Sequence, residues 1–170
     1  MQQIKWFDRT FDFNFQQNIF PAILERLDGT PIRLRTKINQ IIPKKLNQKP
    51  NSTWSIKENI GHLINLEPLW QGRLEDILSE EKYLRATDLS NQQTDRANYN
   101  TQSIEALLDE FEAVRITTVQ RLKQLEEAQI YQAALHPRLE QPMRTMDLFL
   151  FVAEHDDHHL ARITEIDKNA

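Results

Sequence analysis

The stretch Phe151-Val-Ala-Glu-His155-Asp-Asp-His158-His159-Leu-Ala-Arg-Ile163 decides how the chain is read. It holds three of the five histidines within five residues. His155 and His159 are four apart, so on a helix they stack on one face with Cβ atoms roughly 5–6 Å apart. Two imidazoles so placed can share one metal ion, as the paired histidines of H-E-x-x-H helices do. Leu160 and Ile163 put core contacts in the same two turns, against the alternative of a solvated polar turn. His158 lies ~60° to the other side of His155 and is expected at the surface or behind a ligand, not beside it. One more ligand from another helix completes a three-ligand site with an open position. His62, in Gly61-His62-Leu63, is the candidate. A lone helical histidine is more often a packed one with a hydrogen-bond partner. The other choice, His136, sits in a Pro-flanked loop, so periodicity favours His62.

Working outward, Thr145 is expected to cap this last helix, with Asp147 in its first turn, and Met146, Phe149, Leu150, Ala153, Leu160 and Ile163 forming its core stripe. Upstream, Ser103 opens a run of Ile104, Leu107, Leu108, Phe111, Val114, Thr118, Leu122 and Leu125 at threes and fours, a strong amphipathic helix. Ser55-Ile-Lys-Glu58 fits a capping box for a helix carrying His62, Leu63, Leu66, Leu69, Trp70, Leu74 and Ile77. Pro68 inside that run predicts a kink or break near 65–67. Pro21 predicts a short helix over 22–27 ending at Asp28-Gly29, and Thr30-Pro31 predicts a fresh start for a helix that stops before Pro43. Residues 43–53, 79–101 and 129–144 are expected as connections. The middle one is long enough to be functional or to cover something.

Four substantial helices follow, over about 31–42, 55–78, 103–127 and 146–166. The expected fold class is all-α: a four-helix bundle over a single domain, 1–170, with long connecting loops and a site between facing helices. Trp6, Phe7, Phe11, Phe13, Phe15 and Phe20 make the N-terminus aromatic-rich. Phe11, Phe13 and Phe15 alternate like a strand, and an extended arm laid on the bundle is an equal reading.

Bulk properties narrow the function. The chain has 170 residues, 39% hydrophobic and 27% charged, with only 3 Gly, enough for a real core. The net charge of −4 argues against generic nucleic-acid binding. No apolar run approaches the ~18–20 residues of a membrane span, and the first residues lack a signal peptide's pattern. There is no Cys, hence no disulfide and no protein thiol nucleophile. A cytoplasmic location is expected.

Trp54-Ser-Ile-Lys-Glu-Asn-Ile-Gly-His62-Leu and Ala153-Glu-His155-Asp-Asp-His-His159-Leu resemble the DinB-like family of metal-binding four-helix proteins. Arg9-Thr-Phe-Asp-Phe, Leu24-Glu-Arg-Leu-Asp-Gly-Thr-Pro31 and His136-Pro-Arg resemble a branch of it, so the likeness runs over nearly the whole chain. In that family one helix gives a single His and the last helix an H-x-x-x-H pair to one divalent metal. The resemblance therefore implies His62, His155 and His159 as ligands, and members resembling thiol S-transferases that use low-molecular-weight thiols. A homodimer is implied by the resemblance alone.

Neutral nitrogen donors leave the charge of Zn²⁺, Ni²⁺, Fe²⁺ or Mn²⁺ largely uncancelled, and zinc is slightly favoured. Bound water can fall to a pKa near ~7 on zinc, and a coordinated thiol is deprotonated. Thiol transfer to a small electrophile and hydrolysis of a small molecule are both within reach, as is a non-catalytic module that keeps metal for stability. Asp156 and Asp157 could hold an imidazole N–H, with a charged helix surface the blander expectation. Glu58 is expected to cap, Arg162 to lie at the surface, and Trp54 and Trp70 to be core.

Overall fold

The computed structural model describes residues 3–50 and 53–169. Four long helices dominate it: α1 Phe20–Ile38, α2 Ile56–Leu78, α4 Ile104–Leu122 and α6 Thr145–Asn169, with one-turn helices α3 Gln92–Arg96 and α5 Glu127–Tyr131 between them. α1 packs on α4 and α6, and α2 packs on the same two. The pairs α1/α2 and α4/α6 therefore occupy the diagonals of the bundle. Successive long helices at the two ends of the chain are not neighbours, and connections of some seventeen and twenty-two residues make those crossings. Adjacency of α2 and α6 is what turns His62 toward His155 and His159.

Each long helix carries a buried polar residue near the middle of its length: Thr30, Glu67, Arg115 and Asp156. One core gathers Leu27, Trp70, Val119 and Val152; the other gathers Leu34, Ile60, Phe111 and Ile163. A fully buried Leu of this kind contributes roughly 1.5–3 kcal/mol. Between the cores, Arg115 donates to Glu67 (Nε to Oε1, 2.8 Å) and also to both oxygens of Asp156. Thr118 Oγ1 donates to the other oxygen of Glu67 at 2.5 Å. All four side chains are buried. Asp156 is thus neither an imidazole partner nor a surface charge; burial opposite Arg115 fixes it in the bundle centre.

The expected break at Asp28-Gly29 does not occur: α1 runs straight through Thr30-Pro31. No glycine has the positive φ that would end a helix there. Thr30 Oγ1 donates to the Arg26 carbonyl at 2.9 Å. Pro31 removes the N–H that Leu27 O would accept from, and Arg115 Nη1 donates to that carbonyl instead, at 3.4 Å. Likewise α2 continues past Pro68, which is exposed. The Ser55–Glu58 capping box is present in full, with Glu58 N donating to Ser55 Oγ (3.1 Å) and Ser55 N to Glu58 Oε2 (2.8 Å). Thr145 is the first residue of α6 and its buried Oγ1 has no partner among the described residues, so it does not cap the helix. Asp147 instead accepts from the N–H of Arg144 at 3.0 Å.

The connections have more structure than expected. β1 Ala133–Leu135 and β2 Pro142–Arg144 form an antiparallel hairpin with Ala134 opposite Met143. The 79–101 segment carries α3 and a 3₁₀ turn, Tyr99–Thr101. The N-terminal residues form an arm, not a strand: one 3₁₀ turn, Trp6–Asp8, then irregular chain to Phe20. Arg144 holds the arm by donating to the carbonyls of Phe13 and Phe15, both at 3.1 Å. Residues 1–2 of that arm, and 51–52 of the expected 43–53 loop, lie outside the described residues.

Candidate metal centre

The helical spacing of α6 places His155 and His159 one turn apart, and their Nε2 atoms face each other at 3.2 Å. His62 enters from α2, with ring centroids 5.3 Å from His155 and 4.9 Å from His159. One nitrogen from each ring lies within 4.8 Å of the others, and all three residues are buried. Such a group can hold one divalent ion.

The orientation of each ring has an identifiable cause. Asn59, one turn before His62 on α2, donates from Nδ2 to the Ser55 carbonyl at 2.7 Å. That contact aims Oδ1 at His159 Nδ1, 2.8 Å away. His159 therefore carries its proton on Nδ1 and keeps the Nε2 lone pair for the centre. His62 Nδ1 meets Thr94 Oγ1 of α3 at 3.1 Å, which likewise leaves Nε2 for the centre. His155 Nδ1 is buried with no hydrogen-bond partner among the described residues; the Trp6 indole stands edge-on to its ring at 4.8 Å. Burial pushes all three imidazoles toward the neutral form, His62 down to about 4 and the other two well below the usual histidine range. Neutral rings whose nitrogens converge suit a divalent metal.

A cavity of about 910 Å³ opens onto the three rings. α2 and α6 form its floor. The arm, residues 86–95 and the His136–Arg138 turn contribute to its other walls. The long polar connection thus covers the site, as its length suggested. Trp54 is not core: it is half-buried, lies 4.6 Å from the His62 ring, and its indole N–H donates to Asp95 at 2.8 Å. Trp70 is buried and stands 6.0 Å from His155.

A family model described as the DinB superfamily matches residues 26–163. The chain belongs to the DinB superfamily. Among solved structures, this DinB-superfamily chain is similar to YfiT from Bacillus subtilis, described as a probable metal-dependent hydrolase with an unusual four-helix bundle topology. The likeness has a TM-score of 0.80 at 18% identity and covers 95% of this chain and 93% of that one. It shows the shared bundle. A search of curated proteins finds no match.

The remaining candidates lie outside the three-ring group. His158 faces the arm, its Nδ1 2.9 Å from Gln3 Nε2. Asp157 pairs with Arg26 (2.6 Å) and Arg33 (2.7 Å) on the outside of the bundle. Glu58 stays in its cap and pairs with Lys49 at 2.5 Å. Arg162 is half-buried at the pocket edge, donating to Glu165 at 2.6 Å. Asn59 and Thr94 were missed. Asn59 had a readable signal, a helix-interior Asn one turn from His62. Thr94 had none, because a polar segment does not announce where it docks.

Proposed function

We propose that the protein is a metal-dependent enzyme that acts on a small molecule, with His62, His155 and His159 holding the metal. The single observation that carries this is the convergence of three buried, neutral imidazoles on one point at the base of a large pocket. A divalent metal bound there supplies Lewis acidity and lowers the pKa of what it coordinates. The chain's own residues do the rest. Asn59 and Thr94 hold two of the rings in the orientation that frees Nε2. Trp6, Trp54 and Trp70 pack beside the rings and give the pocket an apolar wall there.

Transfer of a low-molecular-weight thiol to an electrophile is the finer reading. Its support is the donor set: the three ligands are neutral, so the charge that favours a thiolate is undiminished. Hydrolysis is the second reading; the description of YfiT as a probable metal-dependent hydrolase favours it. The same proposal includes a cytoplasmic homodimer, which fractionation and sedimentation velocity test.

Loading the purified protein with Co²⁺ tests the metal and the chemistry together. A visible spectrum that gains a thiolate-to-cobalt band on adding a small thiol, followed by turnover with an alkylating electrophile, is expected. Cobalt binding with no response to thiols, but with cleavage of ester or amide substrates, selects hydrolysis. No stoichiometric binding removes the enzyme reading altogether. A loss of melting temperature on chelation without either activity selects a structural metal.

A further inference from the structure

Among the described residues two arginines are buried, and they are met differently. Arg115 is met by two buried carboxylates. Arg73, on α2, is 2% exposed and makes no ion pair among the described residues. Its Nε donates to the Arg85 carbonyl at 3.1 Å, and its Nη1 lies 3.3 Å from His136 Nε2. Asp76, three residues further along α2, is already taken by Arg85, which donates to both its oxygens from N, Nε and Nη2. The acids that line the cavity are also engaged: Asp95 with Trp54, Asp88 with the backbone of Ser90 and Gln92, and Glu165 with Arg162. A buried guanidinium without a counter-ion is costly, and this one lines the same cavity as the three histidines.

The neighbours of Arg73 add to its positive field. His136 Nδ1 accepts the backbone N–H groups of Arg138 and Leu139, both at 3.2 Å, so its ring proton is on Nε2, facing Arg73. Arg138 also lines this end of the cavity, its guanidinium 5.4 Å from the centre of the Phe7 ring. His62 and Arg73 are eleven residues apart on α2. That is three turns, so they share a helix face with their Cα atoms ~16 Å apart along the axis. Leu66, Leu69 and Trp70 line the cavity between them.

Resting on the metal-enzyme reading above, we infer that Arg73, backed by His136 and Arg138, binds the carboxylate of an elongated substrate with an apolar middle, whose far end reaches the three histidines. The planar fork of Arg73 suits bidentate contact with a carboxylate. Burial lowers its pKa to about 10, which leaves it charged at neutral pH. Arg73 is a specificity-determining residue, outside the reacting centre.

Calorimetric titration of the metal-loaded protein with octanoate and with its neutral counterpart octanamide tests this. Wild type is expected to favour octanoate by about tenfold or more, the scale of a hydrogen bond to a charged group. Arg73→Met should lose that preference while binding octanamide as before, and Arg73→Lys should keep part of it. Melting curves confirm folding, and the Lys variant carries the comparison if the Met variant does not fold. His62→Ala should leave the preference intact. Equal binding of the two ligands by wild type overturns the inference. So does a preference that survives Arg73→Met but vanishes in His62→Ala, which would put the carboxylate on the metal and leave the metal-enzyme reading standing. Octyl phosphate binding tenfold more tightly than octanoate overturns the assignment to a carboxylate. Absence of metal with the Arg73 preference intact removes the enzyme reading and keeps the anion site.

Discussion

Asn59 Oδ1 and His159 Nδ1 lie 2.8 Å apart across the α2–α6 interface, and that contact sets which nitrogen of His159 is available to a metal. Replacing Asn59 with Leu removes the acceptor, frees the ring to rotate and lets the proton move to Nε2. Metal affinity is expected to fall by roughly 10–100-fold, the usual cost of losing a hydrogen bond that orients a ligand. Competition with a chromogenic chelator measures it. An unchanged affinity would show that packing alone fixes the ring.

Removal of a ligand should be more severe. His62→Ala, His155→Ala and His159→Ala should each abolish stoichiometric metal retention, while His158→Ala, whose ring faces Gln3 and the arm, should retain it. Elemental analysis after gel filtration distinguishes them. Retention of one ion per chain by His155→Ala would remove the proposed centre.

Arg115 holds Glu67 and Asp156 in the bundle interior. Arg115→Met leaves two buried carboxylates without a cation, and the expected loss is about 3–5 kcal/mol. It also leaves the Leu27 carbonyl without the donor that replaces the Pro31 N–H. The urea midpoint of unfolding should drop sharply. Adding Glu67→Gln and Asp156→Asn should recover part of it, because the uncompensated charges are gone.

Acid should destabilise the chelator-treated protein. The folded state holds His62 with a pKa of about 4, whereas an unfolded histidine titrates near ~6.5. Between those values the unfolded chain binds the extra proton, so stability falls as pH drops through that window and is complete above it. His62 alone accounts for about 3 kcal/mol across the window, and His155 and His159 act in the same direction. Denaturant midpoints between pH 7 and 4 should show the slope, and His62→Gln should reduce it in part, because His136, also held at about 4, and the other two rings keep contributing. A stability independent of pH over this range would contradict the neutral, buried state of these rings.

Gly61 precedes His62 and faces the Tyr99 ring. A Cβ there would come within 2.2 Å of that ring, which is buried and hydrogen-bonded through its hydroxyl to Asn65 at 2.7 Å. Gly61→Ala should cost about 1–3 kcal/mol by overpacking and loosen the 79–101 segment over the pocket. Gly72→Ala should cost less, because the atoms it meets belong to the exposed side chain of Arg85, which can swing aside at the expense of its pair with Asp76. Thermal melts of the two variants, with proteolysis of the segment as a second readout, provide the comparison.

Several features were legible in the residues themselves. The Ser55–Glu58 cap, the stripe from Ile104 to Leu122 and the His155/His159 pair all depend on contacts within a few residues, where helical periodicity dictates the neighbours. Pro31 and Asp156 depart from what the sequence predicts for a common reason. Pro31 is tolerated inside α1 because Arg115, far along the chain, donates to the carbonyl it orphans. Asp156 is buried because the same Arg115 meets it. Trp54, expected in the core, borders the pocket because α3 supplies its partner, Asp95.

Periodicity and capping, which are local, determined by themselves the helices, their buried faces and the paired imidazoles on one of them. Tertiary structure alone decided that α1 and α2 lie on a diagonal, that α2 borders α6 so that His62 meets His155 and His159, and that the arm and the 79–101 segment close over the result. The physical reason is that an apolar stripe specifies a buried face without specifying its neighbour. Which helix fills that face is chosen by the buried charges and side-chain shapes of all four helices together.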